Sequence, residues 1–122
     1  MTLVLLAACL AQLSEGASNQ QFVNHHIDFP RSSGHNDQGY CNRTMQRRGL
    51  TRFACKASNI FIHAPFSQVQ NICGRGGKHV YGKVYASIAH FDHTESQLTS
   101  SFLGRCRNRT TILNSRIHVT CL

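Results

Sequence analysis

The chain has 122 residues, enough for one domain with a modest core and no more. Thirteen Lys and Arg against five Asp and Glu give a formal charge of +8, which argues against cationic partners and for polyanions: RNA, DNA, sulfated glycans or an anionic membrane. The cations are spread along the chain instead of forming one tail, so the charge describes a folded basic surface and a monomer that needs no partner chain.

Leu3 to Leu13 is an apolar run of the length of a leader's central region, followed by Ser14-Glu15-Gly16 with small residues for cleavage near Gly16 or Ala17. It is too short to span a bilayer, so no transmembrane segment is expected. It also lacks a basic start, and a buried N-terminal helix is the competing reading. The expectation is a leader over 1–16, a domain over 17–122 and a secreted, extracellular protein. Removing the leader removes Cys9 and leaves Cys41, Cys55, Cys73, Cys106 and Cys121, an odd number for a compartment that oxidises thiols. No Cys/His spacing matches a zinc site, and His90-Phe91-Asp92-His93 has no helical context to make it one. Neither a metal nor a cofactor is expected. Asn42-Arg43-Thr44 and Asn108-Arg109-Thr110 are glycosylation acceptor patterns at Asn42 and Asn108.

Along the domain, Gln20 to Asp28 reads as a short helix with Phe22 and His26 one turn apart on one face. Phe22 would anchor that face and bring His26 to the edge of a cleft. Pro30 closes the helix, and Arg31 to Gln38 reads as a polar loop. Tyr40 to Arg48 is a second helix with Gly49 at a C′ position. Cys55 to His63 reads as a strand placing Ala57, Asn59, Phe61 and His63 on one face and Lys56, Ser58, Ile60 and Ile62 on the other. A lysine beside the cysteine that pins the strand, with an amide three residues later, can hold a cation where an anion would meet it. Phe66 to Cys73 is a third short helix, and Gly74-Arg75-Gly76-Gly77-Lys78 reads as a basic flexible turn lacking the spacing of a phosphate loop. Val84 to Phe91, His93 to Thr99, Cys106 to Leu113 and Arg116 to Cys121 read as strands. The expected class is α+β, helices first and antiparallel sheet after.

Phe22-x-x-x-His26, Tyr40-Cys41-Asn42, Cys55-Lys56-x-x-Asn59-x-Phe61-x-His63, Val69-Gln70-x-x-Cys73 and the pair Cys106 and Cys121 together resemble the pancreatic (ribonuclease A) family of secreted vertebrate ribonucleases. The resemblance runs from about Gln20 to Cys121, and the glycine-rich turn after Cys73 is similar to non-mammalian, fish-like branches. It implies a ribonuclease A-like fold, three short helices on a bent antiparallel sheet with substrate in the cleft. It also implies transphosphorylation of RNA on the 3′ side of pyrimidines: His26 as the base that takes the 2′-OH proton, and Lys56 as the cation on the transition-state charge. Asn59 would be a polar residue beside them, and Ile60 would sit where the base is read. His25 stands where the family carries a glutamine that touches phosphate.

The resemblance also implies bridges Cys55–Cys106 and Cys73–Cys121. Ser96 occupies the position expected to pair with Cys41, which leaves Cys41 unpaired. Family members carry a Pro-Val-His segment after the last cysteine that supplies the general acid, and residues 1–122 contain no counterpart. Weak or lost turnover is therefore expected, since a general acid contributes about a hundred- to ten-thousand-fold in rate. His118 and His63 read as structural. A competing reading from another class is a non-catalytic cationic host-defence or signalling protein acting on membranes or glycans.

Overall fold

Helix α1 (Ala17–His26) opens the described part of the domain. The computed structural model describes residues 3–5, 17–32 and 37–121. The helix begins earlier and stops two residues sooner than its pattern suggests, because Ile27 leaves it to bridge to Ile62 in parallel. Helix α2 (Asp37–Arg47) buries Tyr40, Cys41, Thr44 and Met45, the spacing of one helical face. Its end is a Schellman closure. Leu50 N–H reaches the Met45 carbonyl at 2.9 Å and Gly49 N–H the Gln46 carbonyl at 3.0 Å, with Gly49 at φ +72, a conformation that favours glycine.

Strand β2 (Ser58–Ile62) has both faces covered. Ile60 and Ile62 join Phe22, Val69, Ile72 and Val119 in the main core, while Phe61 enters a second cluster with Tyr40, Cys41 and Met45. Each fully buried side chain of this size contributes about 1.5–3 kcal/mol. The strand is thus the partition between the two cores, held to α1 on one side and α2 on the other. Helix α3 (Phe66–Gln70) runs into a 3-10 turn, Asn71–Cys73.

Two antiparallel sheets follow. Strand β2 pairs with β5 (Phe91–Phe102), which forms a long hairpin with β6 (Arg105–Ser115). The other sheet has the order β1-β7-β4-β3, with β1 Leu3–Leu5, β3 Gly77–Tyr81, β4 Val84–Ser87 and β7 His118–Cys121.

Of the stretch read as a flexible glycine turn, Gly74 to Gly76 form a turn, while Gly77 and Lys78 already open β3. Gly77 lies so close to the 3-10 turn that a Cβ there would overlap the Ile72 carbonyl oxygen. The span Val84 to Phe91 is broken after Ser87, whose hydroxyl turns back to the Ala89 carbonyl at 2.8 Å. Of the expected leader only Leu3–Leu5 falls within the described residues, as a strand on β7; its cleavage point lies outside them except for Ala17. Bridges join Cys55 to Cys106 and Cys73 to Cys121, and Cys41 is free and buried.

Candidate active site

His26 ends α1 and is completely buried, with its ring centroid 5.0 Å from that of Phe22. It does not stand at the rim of a cleft. Its Nδ1 lies 2.8 Å from the Ile60 carbonyl oxygen. A carbonyl only accepts, so Nδ1 carries the proton and Nε2 is left with its lone pair. That Nε2 is buried and has no hydrogen-bond partner among the described residues. Burial pushes the imidazole down to about 3, with the Ile60 bond opposing and Lys56 and His25 adding to the fall. At neutral pH this ring is an uncharged proton acceptor.

Lys56 is oriented from the strand side. Its Nζ donates to Asn59 Oδ1 at 3.0 Å, and Asn59 Nδ2 donates to the His25 carbonyl at 2.8 Å. The fully buried Asn59 therefore ties the lysine to the last turn of α1, so that cation and imidazole share one frame. This is the use of an amide three residues after Lys56: it is the second residue of β2 and bonds to the end of the helix. His25 lies next to His26, ring centroids 6.1 Å apart, and is lowered by burial and then by Lys56.

The structure thus brings His25, His26, Lys56 and Asn59 together. Ile60 contributes its carbonyl to His26, but its side chain is in the main core with 1% exposure and does not line an open surface. Asn42 is exposed. Asn108 is buried, with its backbone N–H 2.6 Å and its Nδ2 3.2 Å from Asn42 Oδ1. Burial raises the Cys41 thiol, and its backbone N–H donates to the Thr110 hydroxyl at 3.1 Å. His118 is exposed on β7.

Sequence reading missed the carboxylate that fixes the end of α1. Asp28, 3% exposed, accepts from the Tyr40 hydroxyl, from Ser32 through N–H at 3.0 Å and Oγ at 2.7 Å, and from Arg48 at 3.2 Å. Burial raises its carboxyl, but the Tyr40 and Ser32 hydrogen bonds and the Arg48 charge outweigh that and hold it below its ordinary value. His63 is used up here: its Nδ1 donates to the Asp28 carbonyl at 2.8 Å and its Nε2 lies 2.7 Å from the Thr94 hydroxyl. No local pattern announces this network, because its members come from three elements. Among the described residues no group of three or more His, Cys, Asp or Glu is placed to hold a metal, and no helix is long and apolar enough to cross a membrane.

Comparison with known proteins gives one family. The model of that family, described as pancreatic ribonuclease, matches residues 17–122. A pancreatic ribonuclease of Iguana iguana is 38% identical over 101 residues, 82% of this chain and 85% of that protein. A ribonuclease of Chelydra serpentina is 35% identical over 104 residues, 84% of this chain and 87% of that protein. The crystal structure of green turtle egg white ribonuclease superposes with a TM-score of 0.80 at 34% identity, covering 85% of this chain and 88% of that one.

Proposed function

This chain belongs to the pancreatic ribonuclease family, and from that premise we propose that it is a secreted, cationic RNA-binding protein with endoribonuclease chemistry centred on His26 and Lys56. The observation that carries the reading is the unpartnered Nε2 of His26, a buried acceptor whose proton-bearing side is fixed by Ile60. A buried acceptor with no partner costs free energy in the resting protein. Nε2 is fully covered in the resting structure, so the side chains over it must give way before a 2′-OH can supply the missing donor.

Lys56 supplies the complementary half. An RNA phosphate drawn to its ammonium brings negative charge next to His26, which raises the imidazole's proton affinity when it must take the 2′-OH proton. The cation then opposes the charge that grows on phosphorus. Asn59 positions the lysine, and His25 adds a polar ring at the edge.

Binding tests this reading. Affinity for single-stranded RNA, measured by fluorescence anisotropy, should fall more for Lys56→Ala than for substitution of a distant surface cation such as Arg75. Equal losses would reduce the protein to a diffuse polycation and overturn the site.

A further inference from the structure

A cavity of about 770 Å³ lies between α2 and β6 and is not lined by the His26 site. Arg52, Arg105 and Arg107 line it, with no acidic residue among its walls. Beside it are three of the most exposed apolar side chains of the described residues: Phe53 at 96%, Phe102 at 73% and Leu103 at 86%. They are joined in one structure, because Phe53 leads into the Cys55–Cys106 bridge and Cys55 Sγ lies 3.4 Å from Ser101 Oγ in the same hairpin. Phe102 pairs directly with Arg105 across the β5–β6 turn.

The turn itself is built against local preference. Leu103 and Gly104 are its two central residues, both with positive φ, +47 and +76, and such two-residue turns favour Asn-Gly. Leucine at the first position is disfavoured by its Cβ and, at the apex of a hairpin, by water. An apolar group held outward in that way, with arginines behind it, has the depth order of a bilayer interface: apolar side chains at the acyl level, guanidinium groups at the phosphates.

We propose that this hairpin tip, with Phe53, docks the protein on anionic bilayers, lipid phosphates entering the arginine-lined cavity. An RNA strand is the less suitable occupant. It asks for aromatic faces along a groove, whereas the most forward residue is an aliphatic side chain on a convex end. The proposal does not draw on the His26 site.

The sequence contains no tryptophan, so the full chain carrying Phe102→Trp reports a single position. On adding phosphatidylcholine vesicles that contain phosphatidylserine, its emission should shift to the blue and become protected from acrylamide. Phosphatidylcholine alone should do neither. In co-sedimentation, replacing Phe53, Phe102 and Leu103 by serine leaves the charge intact and should weaken binding about tenfold or more, while each of Arg52→Gln, Arg105→Gln and Arg107→Gln should cost about fivefold. All these side chains are exposed, and unchanged melting temperatures confirm the fold of each variant. Binding by the triple serine variant equal to that of the parent, or an indole that stays in water while the protein sediments, would overturn the proposal. So would arginine variants that keep vesicle binding and lose RNA binding, which would give the cavity to RNA.

Discussion

The Nδ1 of His26 stands 2.8 Å from the carbonyl oxygen of Ile60, and this contact decides which nitrogen of the ring can act. It joins the last turn of α1 to the middle of β2, so the tautomer is set by the packing of helix on strand and not by solvent. Asn59, one residue before Ile60, makes the second tie, to the His25 carbonyl at 2.8 Å. Two adjacent strand residues thereby hold two adjacent helix residues, and Lys56 is positioned by the same amide.

Burial gives His26 a testable titration. Its folded value, about 3, lies below the ordinary 6.5, so between these values the unfolded chain binds more protons than the folded one. The contribution of this group to stability is therefore complete above about pH 6.5 and is lost as pH falls toward 3. Imidazole C–H resonances followed by NMR should show one histidine still neutral at pH 5. Titration of every histidine near 6.5 would contradict the buried geometry.

Asp28 adds a second acid-sensitive element. Its carboxyl is held below 3.8, so its contribution is present above that value and fades as pH drops through the lowered one. Asp28→Ala leaves Arg48 and the Tyr40 hydroxyl without their acceptor, which should cost about 3–5 kcal/mol in chemical denaturation. A loss comparable to that of an exposed carboxylate would show that the network carries little.

Gly77 is a close-approach glycine. Gly77→Ala would push a methyl group into the Ile72 carbonyl and should destabilise by about 1–3 kcal/mol, as overpacking against backbone does. Gly82 has open space around its Cβ position but φ +50, so Gly82→Asn, a residue that tolerates this conformation, should cost no more than about 1 kcal/mol. The pair is read by thermal melts; equal effects would remove the steric account.

Cys41 and Ser96 test the missing staple. The buried Cys41 thiol has its sulfur 3.6 Å from the carbonyl oxygen of Glu95, the residue before the buried Ser96. Ser96→Cys should close a third bridge and add about 2–4 kcal/mol, seen as the loss of free thiol in denaturant and a higher urea midpoint. Two free thiols in the purified variant would contradict the placement.

How much of this was legible follows from the range of each signal. The Phe22/His26 turn, the Gly49 stop and the centre of the Cys55 to His63 reading, Ser58–Ile62, rest on local spacing, whereas Cys55 to Ala57 and His63 lie outside β2. The Gly77 entry to β3 looked like a loop, since glycine marks flexibility and close approach alike; what decides is the Ile72 carbonyl, brought near only by the fold. The burial of His26 and Ile60 was hidden for the same reason, because alternation assigns a face but not what covers it. Asp28 was missed because Tyr40, Arg48 and His63 reach it from separate elements.

The central claim is that His26 and Lys56 form one RNA-directed site, and cleavage of a mixed-sequence RNA by the purified 17–122 chain tests it most directly. The account predicts cleavage that disappears in His26→Ala, falls sharply in Lys56→Ala and is unaffected by Arg75→Gln. Cleavage that persists in His26→Ala at the parent's rate, in protein free of contaminating ribonuclease, would contradict it.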